Sequence, residues 1–209
     1  MSVVNLVTRN YFFVKRLHSL LGVFPLAFFL LEHFLVNSLS AHGAGSFNEA
    51  AEFLERLPYL LVWELGLIVI PLYIHGFLGL WIVFQGSVET RVPYLRNWLY
   101  LLQRATGIVT LIFVTYHIIA TRIWSEYVLK TEDLYSMMRS YLENPLILAF
   151  YLVGVACASF HMGNGIFNFL YKWGITVSER SQTFAMILSW IIALAFMAMG
   201  FNALFGFLR

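Results

Sequence analysis

The side chains in this sequence that are best suited to bind a metal or carry protons near neutral pH are six histidines. Four of them fall inside long apolar segments and recur at steps of 42, 42 and 44 residues: His33, His75, His117 and His161. Ionisable side chains inside membrane segments are costly and are typical of functional sites. His18 and His42 fall near the ends of the first apolar segment, where we expect water to reach them.

The segments that carry these histidines are long enough to cross a lipid bilayer, which takes about 20 residues of mostly apolar helix. Five such segments cover about residues 17–40, 59–88, 98–123, 144–171 and 182–208. The first is longer than the apolar core of a signal peptide, so we expect it to be retained. We predict an all-α integral membrane bundle of five transmembrane helices, formed as one domain over residues 1–209.

The composition supports this class and excludes others. Hydrophobic residues make up 60% of the chain and charged residues 11%, against about a quarter charged in soluble domains. The 13 basic and 11 acidic residues are too evenly balanced for a nucleic-acid-binding protein. The single cysteine, Cys157, can form neither an internal disulfide nor a cysteine-based zinc or iron–sulfur site.

The distribution of Lys and Arg predicts the orientation, since cytoplasmic loops carry an excess of both. Eight lie on the side of the N-terminus: Arg9, Lys15, Arg16, Arg91, Arg96, Arg104, Lys172 and Arg180. We therefore predict a cytoplasmic N-terminus and an external C-terminus. The external connection over residues 41–58 is amphipathic and is expected to form a short helix on the membrane surface.

Helix direction and a rise of about 1.5 Å per residue sort the four histidines into two levels of the membrane. His33 and His117 form an expected outer pair, and His75 and His161 an expected inner pair about 15–20 Å away. Paired imidazoles without cysteine or carboxylate partners are typical of bis-histidine haem iron. No C-x-x-C-H motif occurs, so two noncovalent b-type haems are predicted. A metal or proton transporter is the alternative, since imidazole also binds zinc, copper and nickel.

Other polar side chains are candidate partners of a haem or a quinone. Glu64 lies 11 residues, about three helical turns, before His75 and is expected to be a buried carboxyl that either protonates a quinone or has only a structural role. Asn37 either bonds a quinone carbonyl or caps its helix.

Six residues at the cytoplasmic rim are candidates to bind haem propionates, although positive-inside anchoring is the alternative for the arginines: Arg16, His18, Ser19, Gln103, Arg104 and Lys172. Gly22 and Gly154 fall near the two haem levels and either leave room for a flat cofactor or allow close helix packing.

Five strings carry a family resemblance: RLHSLLG (16–22), RNW (96–98), LQRATGIVTLIFVTYH (102–117), SFHMGNG (159–165) and WGITVSERSQ (173–182). Together they closely resemble the dihaem cytochrome b membrane anchors of succinate:menaquinone oxidoreductases, of the single-anchor, five-helix type, to which dihaem fumarate reductases are related. The resemblance covers nearly the whole chain, and the four spaced histidines match the ligand positions of the family.

The resemblance implies a role in electron transfer and a place in the bacterial cytoplasmic membrane. Such an anchor binds a flavoprotein with covalent FAD and an iron–sulfur protein on the cytoplasmic face, and electrons from succinate pass through the inner haem and the outer haem to menaquinone. His75 and His161 would hold the higher-potential haem. Residues 182–208 contain no Glu or Asp, so the transmembrane proton route of some fumarate-reducing relatives is not expected. No G-x-G-x-x-G motif opens a helix after a strand, so we expect the polypeptide alone not to oxidise succinate. A haem b anchor of another respiratory dehydrogenase is the alternative.

Overall fold

A computed structural model of the chain describes residues 10–86, 94–130 and 133–209. The regular elements of these residues are helical, and five helices are long and apolar enough to cross a membrane: Tyr11–His42, Leu60–Gln85, Leu95–Ile123, Pro145–Lys172 and Glu179–Gly206. These helices are called the first to fifth spans, and they confirm the predicted all-α bundle of five transmembrane helices. Arg9 and Arg91, which were used to predict the orientation, lie outside the described residues.

Local signals set the ends of the spans. Ser178 caps the fifth span, since its hydroxyl oxygen accepts the N–H of Ser181 at 3.2 Å. Asn144 caps the fourth span in the same way, and Pro145 follows at its first position, where a missing N–H does no harm. The bundle therefore has an N-terminal end, where the first span begins, and a C-terminal end, where the fifth span ends.

Three of the described spans are not uniform α-helices. The first consists of the helices Tyr11–Val23 and Leu26–Asn37 and the 3₁₀ turn Ser38–His42, with the interruption at Pro25, which has no N–H to donate. The second contains the π-helical segment Glu64–Val69, and the third ends in the π-helical segment Ile119–Ile123. A further π-helical segment, Ser125–Leu129, follows. The widened turns shift the faces on which later side chains lie.

The first four spans surround a common interior. The N-terminal half of the first span packs against the second and fourth spans, and the third packs along the fourth. The fifth span lies along the fourth, where small residues allow close approach. A Cβ on Gly163 would lie 2.6 Å from the Cβ of Ala193, so helix packing explains this glycine.

Two short helices close the C-terminal end. The first surface helix, Ala44–Glu55, is the expected amphipathic helix, and the second surface helix, Leu134–Leu142, was not predicted. They are joined by an aromatic cluster in which Phe47 packs against Phe207 with ring centres 4.8 Å apart. The hydroxyl of Tyr135 donates to the carbonyl oxygen of Gly206 at 3.0 Å and fixes the second surface helix to the fifth span.

Candidate functional site

The four spaced histidines meet as two pairs in the interior. His75 of the second span and His161 of the fourth have ring centres 6.1 Å apart and ring planes at 87°. His33 of the first span and His117 of the third have ring centres 5.7 Å apart and ring planes at 80°. The first couple, called the N-terminal pair, lies nearer the N-terminal end, and the second, called the C-terminal pair, lies nearer the C-terminal end.

The spacing within each pair fits a metal ion bound between two imidazoles. With metal–nitrogen bonds of about 2.0 Å, and about 1.2 Å from each nitrogen to its ring centre, two axial imidazoles place their centres about 6.4 Å apart. The observed distances of 6.1 and 5.7 Å are close to this value. In bis-histidine haem, the protein supplies two imidazoles as ligands of the iron.

Backbone carbonyls hold the rings of the N-terminal pair. The Nδ1 atom of His75 lies 2.8 Å from the carbonyl oxygen of His18, and that of His161 lies 3.0 Å from the carbonyl oxygen of Gln103. Because a carbonyl oxygen only accepts hydrogen bonds, each neutral ring donates from Nδ1. Nε2 of each ring therefore carries the lone pair that a metal would need, and the amide nitrogen of Gln103 lies 3.5 Å from Nε2 of His161.

Gln103 orients His161 rather than facing the rim. Its Nε2 donates to the carbonyl oxygen of His161 at 3.0 Å, and its Oε1 accepts from Nδ2 of Asn164 at 2.7 Å. The side-chain amide is thus engaged, which argues against the predicted role as a donor to a propionate. Asn164, which is 2% exposed, was missed by the sequence analysis. Its position three residues after His161, on the same helix face, was the available signal.

Side chains support the C-terminal pair. The hydroxyl of the buried Tyr151 lies 3.3 Å from Nδ1 of His117. Nδ2 of Asn37 donates to the carbonyl oxygen of His33 at 2.7 Å and lies 3.4 Å from Nδ1 of the same residue. Asn37 is therefore engaged with its own helix and with a candidate ligand, so the structure favours the capping alternative over contact with a quinone.

Two glycines make room for the rings of the N-terminal pair. A Cβ on Gly22 would lie 2.6 Å from Cε1 of His75, and a Cβ on Gly107 would lie 2.7 Å from Cε1 of His161. Gly22 was expected at this level, whereas Gly107 was not identified from the sequence. Gly154 was expected near the other level, and a Cβ there would lie 2.2 Å from the ring of Phe113.

His18 was expected to lie in water, but in the structure its ring is packed against another ring. Its ring stacks on that of His75 with centres 4.0 Å apart and planes at 15°. Gly79 provides the space, since a Cβ at that position would lie 3.0 Å from Nε2 of His18. The ring thus packs between the first and second spans, because the main-chain carbonyl of His18 is the partner of His75.

Three of the other predicted rim residues gather at the N-terminal end. The hydroxyl of Ser19 accepts from Nε1 of Trp173 at 3.1 Å and donates to the carbonyl oxygen of Arg16 at 3.0 Å. The guanidinium of Arg16 lies 4.9 Å from the ring centre of Trp173, and its Nε is buried without a hydrogen-bond partner in the described part of the chain. Lys172 is exposed at the last residue of the fourth span. A buried, unsatisfied guanidinium atom fits an anionic group such as a propionate.

The guanidinium of Arg104 binds the end of the second span, and its Nε, like that of Arg16, is buried without a hydrogen-bond partner in the described residues. Its Nη2 donates to the carbonyl oxygen of Val83 at 2.9 Å and to that of Ile82 at 3.3 Å. These carbonyls belong to the last turn of the second span, where the carbonyls of a helix lack partners within it. Arg104 therefore caps this helix and joins the second span to the third.

Glu64 is ion-paired rather than isolated. Its Oε2 lies 3.0 Å from Nη2 of Arg122, and the side chains are 26% and 42% exposed. The expectation of a buried carboxyl was therefore wrong, because the side chain is partly exposed, and its role towards a quinone stays a prediction. The expectation assumed a regular helix between Glu64 and His75, whereas the π-helical segment that begins at Glu64 changes the phase.

The sequence is similar to those of known membrane subunits. A family model described as the succinate dehydrogenase/fumarate reductase transmembrane subunit matches residues 85–200. The chain is also 43% identical over 197 residues to the succinate dehydrogenase cytochrome b558 subunit of Bacillus subtilis (strain 168), and the alignment covers 94% of this chain and 96% of that one.

Proposed function

The chain belongs to the family of succinate dehydrogenase/fumarate reductase transmembrane subunits, and we propose that it passes electrons from a flavoprotein and an iron–sulfur protein through two b-type haems to menaquinone. The chain is a membrane-spanning cytochrome b subunit of that family, and it acts in electron transport. The number of haems, the electron path and the quinone are the parts that we propose.

One observation carries the proposal of two haems. Four imidazoles from four spans form two pairs with ring centres about 6 Å apart, as expected for two axial ligands on one iron. A haem in each pair would supply reversible one-electron chemistry. The chain would supply the imidazole ligands, the hydrogen bonds that orient them and a dry interior, while the buried Nε of Arg16 is placed to bind a propionate at the N-terminal end.

The basic N-terminal end supports an orientation in which it faces the cytoplasm. Lys15, Arg16, Arg96, Lys172 and Arg180 all lie at this end, and cytoplasmic loops of membrane proteins carry an excess of such residues. The flavoprotein and the iron–sulfur protein would dock there. External trypsin should then cut at the exposed Lys130 in right-side-out vesicles, and cleavage only in inverted vesicles would reverse this orientation.

Reduction of the quinone is expected near the C-terminal pair. A quinone takes up two electrons and two protons on reduction to the quinol, so this end needs a route for protons as well as for electrons. We propose Glu64 as the residue that hands on one of the protons. Its side chain is 26% exposed and is therefore not enclosed by the bundle.

The deciding experiment uses the complex purified with its partner subunits. Pyridine haemochrome analysis should give two haems b for each copy of this chain, and succinate should reduce haem in the difference spectrum. A colourless complex, or one with a single haem, would contradict the proposal. Partners other than the flavoprotein and the iron–sulfur protein would favour an anchor of another respiratory dehydrogenase.

A further inference from the structure

The ion pair between Glu64 and Arg122 has an unusual position. It joins the second span to the third, whereas the pairs Arg56–Glu52 and Arg139–Glu143 each lie within one turn of a surface helix. An ion pair that is partly shielded from water gains little stability, because desolvation offsets the attraction. Stability alone therefore does not explain why two charges lie between membrane helices here.

Both partners project from irregular backbone. Glu64 begins the π-helical segment Glu64–Val69, and Arg122 lies in the π-helical segment Ile119–Ile123. Such segments are rare, and many of those known lie at functional sites. Here two of them face each other from neighbouring spans, so that the widened turns present a carboxylate and a guanidinium to each other.

The surroundings of the pair are apolar and face the lipid. Leu61 and Ile123, which lie within one turn of the two charges, are 65% and 47% exposed. Trp63 and Trp124 are exposed beside them, and tryptophan is enriched where the hydrocarbon meets the headgroups. A ligand that enters this polar spot from the bilayer would need an apolar tail and a headgroup that accepts hydrogen bonds.

The Glu64–Arg122 ion pair is also close to the C-terminal pair of histidines. Arg122 follows His117 by five residues, which places it about 7.5 Å further along the third span. Thr121, next to Arg122, donates from its hydroxyl to the carbonyl oxygen of His117 at 2.7 Å, so the segment is tied to the candidate ligand.

We propose that Arg122 binds the headgroup of a quinone that approaches from the lipid beside the second and third spans. The guanidinium donates a hydrogen bond to a carbonyl oxygen of the quinone, and the Glu64 carboxylate holds the guanidinium in place. Arginine suits both tasks, because its planar guanidinium has five N–H donors. The inference rests on the proposed function, since it assumes that a quinone is the electron acceptor.

The first test uses the wild-type complex and the arginine reagent phenylglyoxal, with labelling read by peptide mass spectrometry. Saturating 2,3-dimethyl-1,4-naphthoquinone should slow the labelling of Arg122. Arg56, which lies in an ion pair on the first surface helix, should label at the same rate with and without the quinone. Labelling of Arg122 that the quinone does not slow would overturn the inference.

The second test measures equilibrium binding of the same naphthoquinone to purified variants. Arg122→Gln should bind it about tenfold to a hundredfold more weakly, the usual effect of losing a hydrogen bond to a charged group, with both haem bands unchanged. The exchanged variant E64R/R122E restores an ion pair but moves the donor, so binding should stay weak. Wild-type binding by either variant would contradict the inference, and Arg56→Gln is the matched control.

The outcomes separate this inference from the proposed function. If succinate fails to reduce haem in the wild-type complex, or no naphthoquinone is reduced, the proposed function fails. If the wild-type complex reduces the naphthoquinone while Arg122 is neither protected nor needed for binding, only the site assigned here is wrong.

Discussion

The glycines that face the N-terminal pair allow a test of the proposed haem ligation. A Cβ on Gly22 would lie 2.6 Å from Cε1 of His75, where unstrained carbon contacts are about 3.5–4.0 Å. Gly22→Ala therefore requires the ring to move by about 1 Å. A ring that is held by its 2.8 Å hydrogen bond to His18 and by an iron–nitrogen bond cannot move that far without weakening one of them.

Overpacking of this kind costs about 1–3 kcal/mol, which corresponds to about a 5- to 150-fold loss of affinity for the haem concerned. Gly107→Ala presses on His161 from the opposite side and should affect the same haem. Haem content and reduced-minus-oxidised spectra of the purified complexes measure this, with Gly66→Ala as the control, since a Cβ there meets nothing within 4 Å. The reasoning fails if Gly22→Ala and Gly107→Ala match the control, or if they affect different haems.

Three further changes test other parts of the structure. His75→Ala should remove one haem and leave the spectrum of the other largely intact, because each pair holds its own iron; loss of both from a folded complex would argue against separate sites. Glu64→Gln should slow quinone reduction while both haems remain, and an unchanged rate would remove its role in proton transfer. Hydrogen bonds from Ser136 and then Asn48 lower the pKa of Asp133 from 3.8 to about 2, so its stabilising effect is complete above about pH 4 and disappears as the pH falls through about 2. The hydrogen-exchange protection factors of the second surface helix, which are corrected for the intrinsic pH dependence of exchange, should fall over this range, and Asp133→Asn should lack this fall.

The amino-acid sequence determined the class of protein and the pairing of the histidines. Apolar segments of about 20 residues have one stable form in a bilayer, the transmembrane helix, because every backbone group must be paired within it. Consecutive spans must alternate in direction, so a step of 42–44 residues between His33, His75, His117 and His161 brings alternate histidines to matching depths. The structure has the same two pairs, and iron ligation by them remains a prediction.

The tertiary structure decided which side chains surround the pairs. Uniform helices of 3.6 residues per turn do not describe these spans, because the interruption at Pro25 and the π-helical segment after Glu64 rotate the residues on their two sides relative to each other. His33 and His75 still meet their predicted partners. Because of this rotation, neither the ion pair of Glu64 with Arg122 nor the stacking of His18 on His75 was predictable. Contacts of this kind depend on the rotation and spacing of two helices at once, which the pattern along either helix alone does not contain.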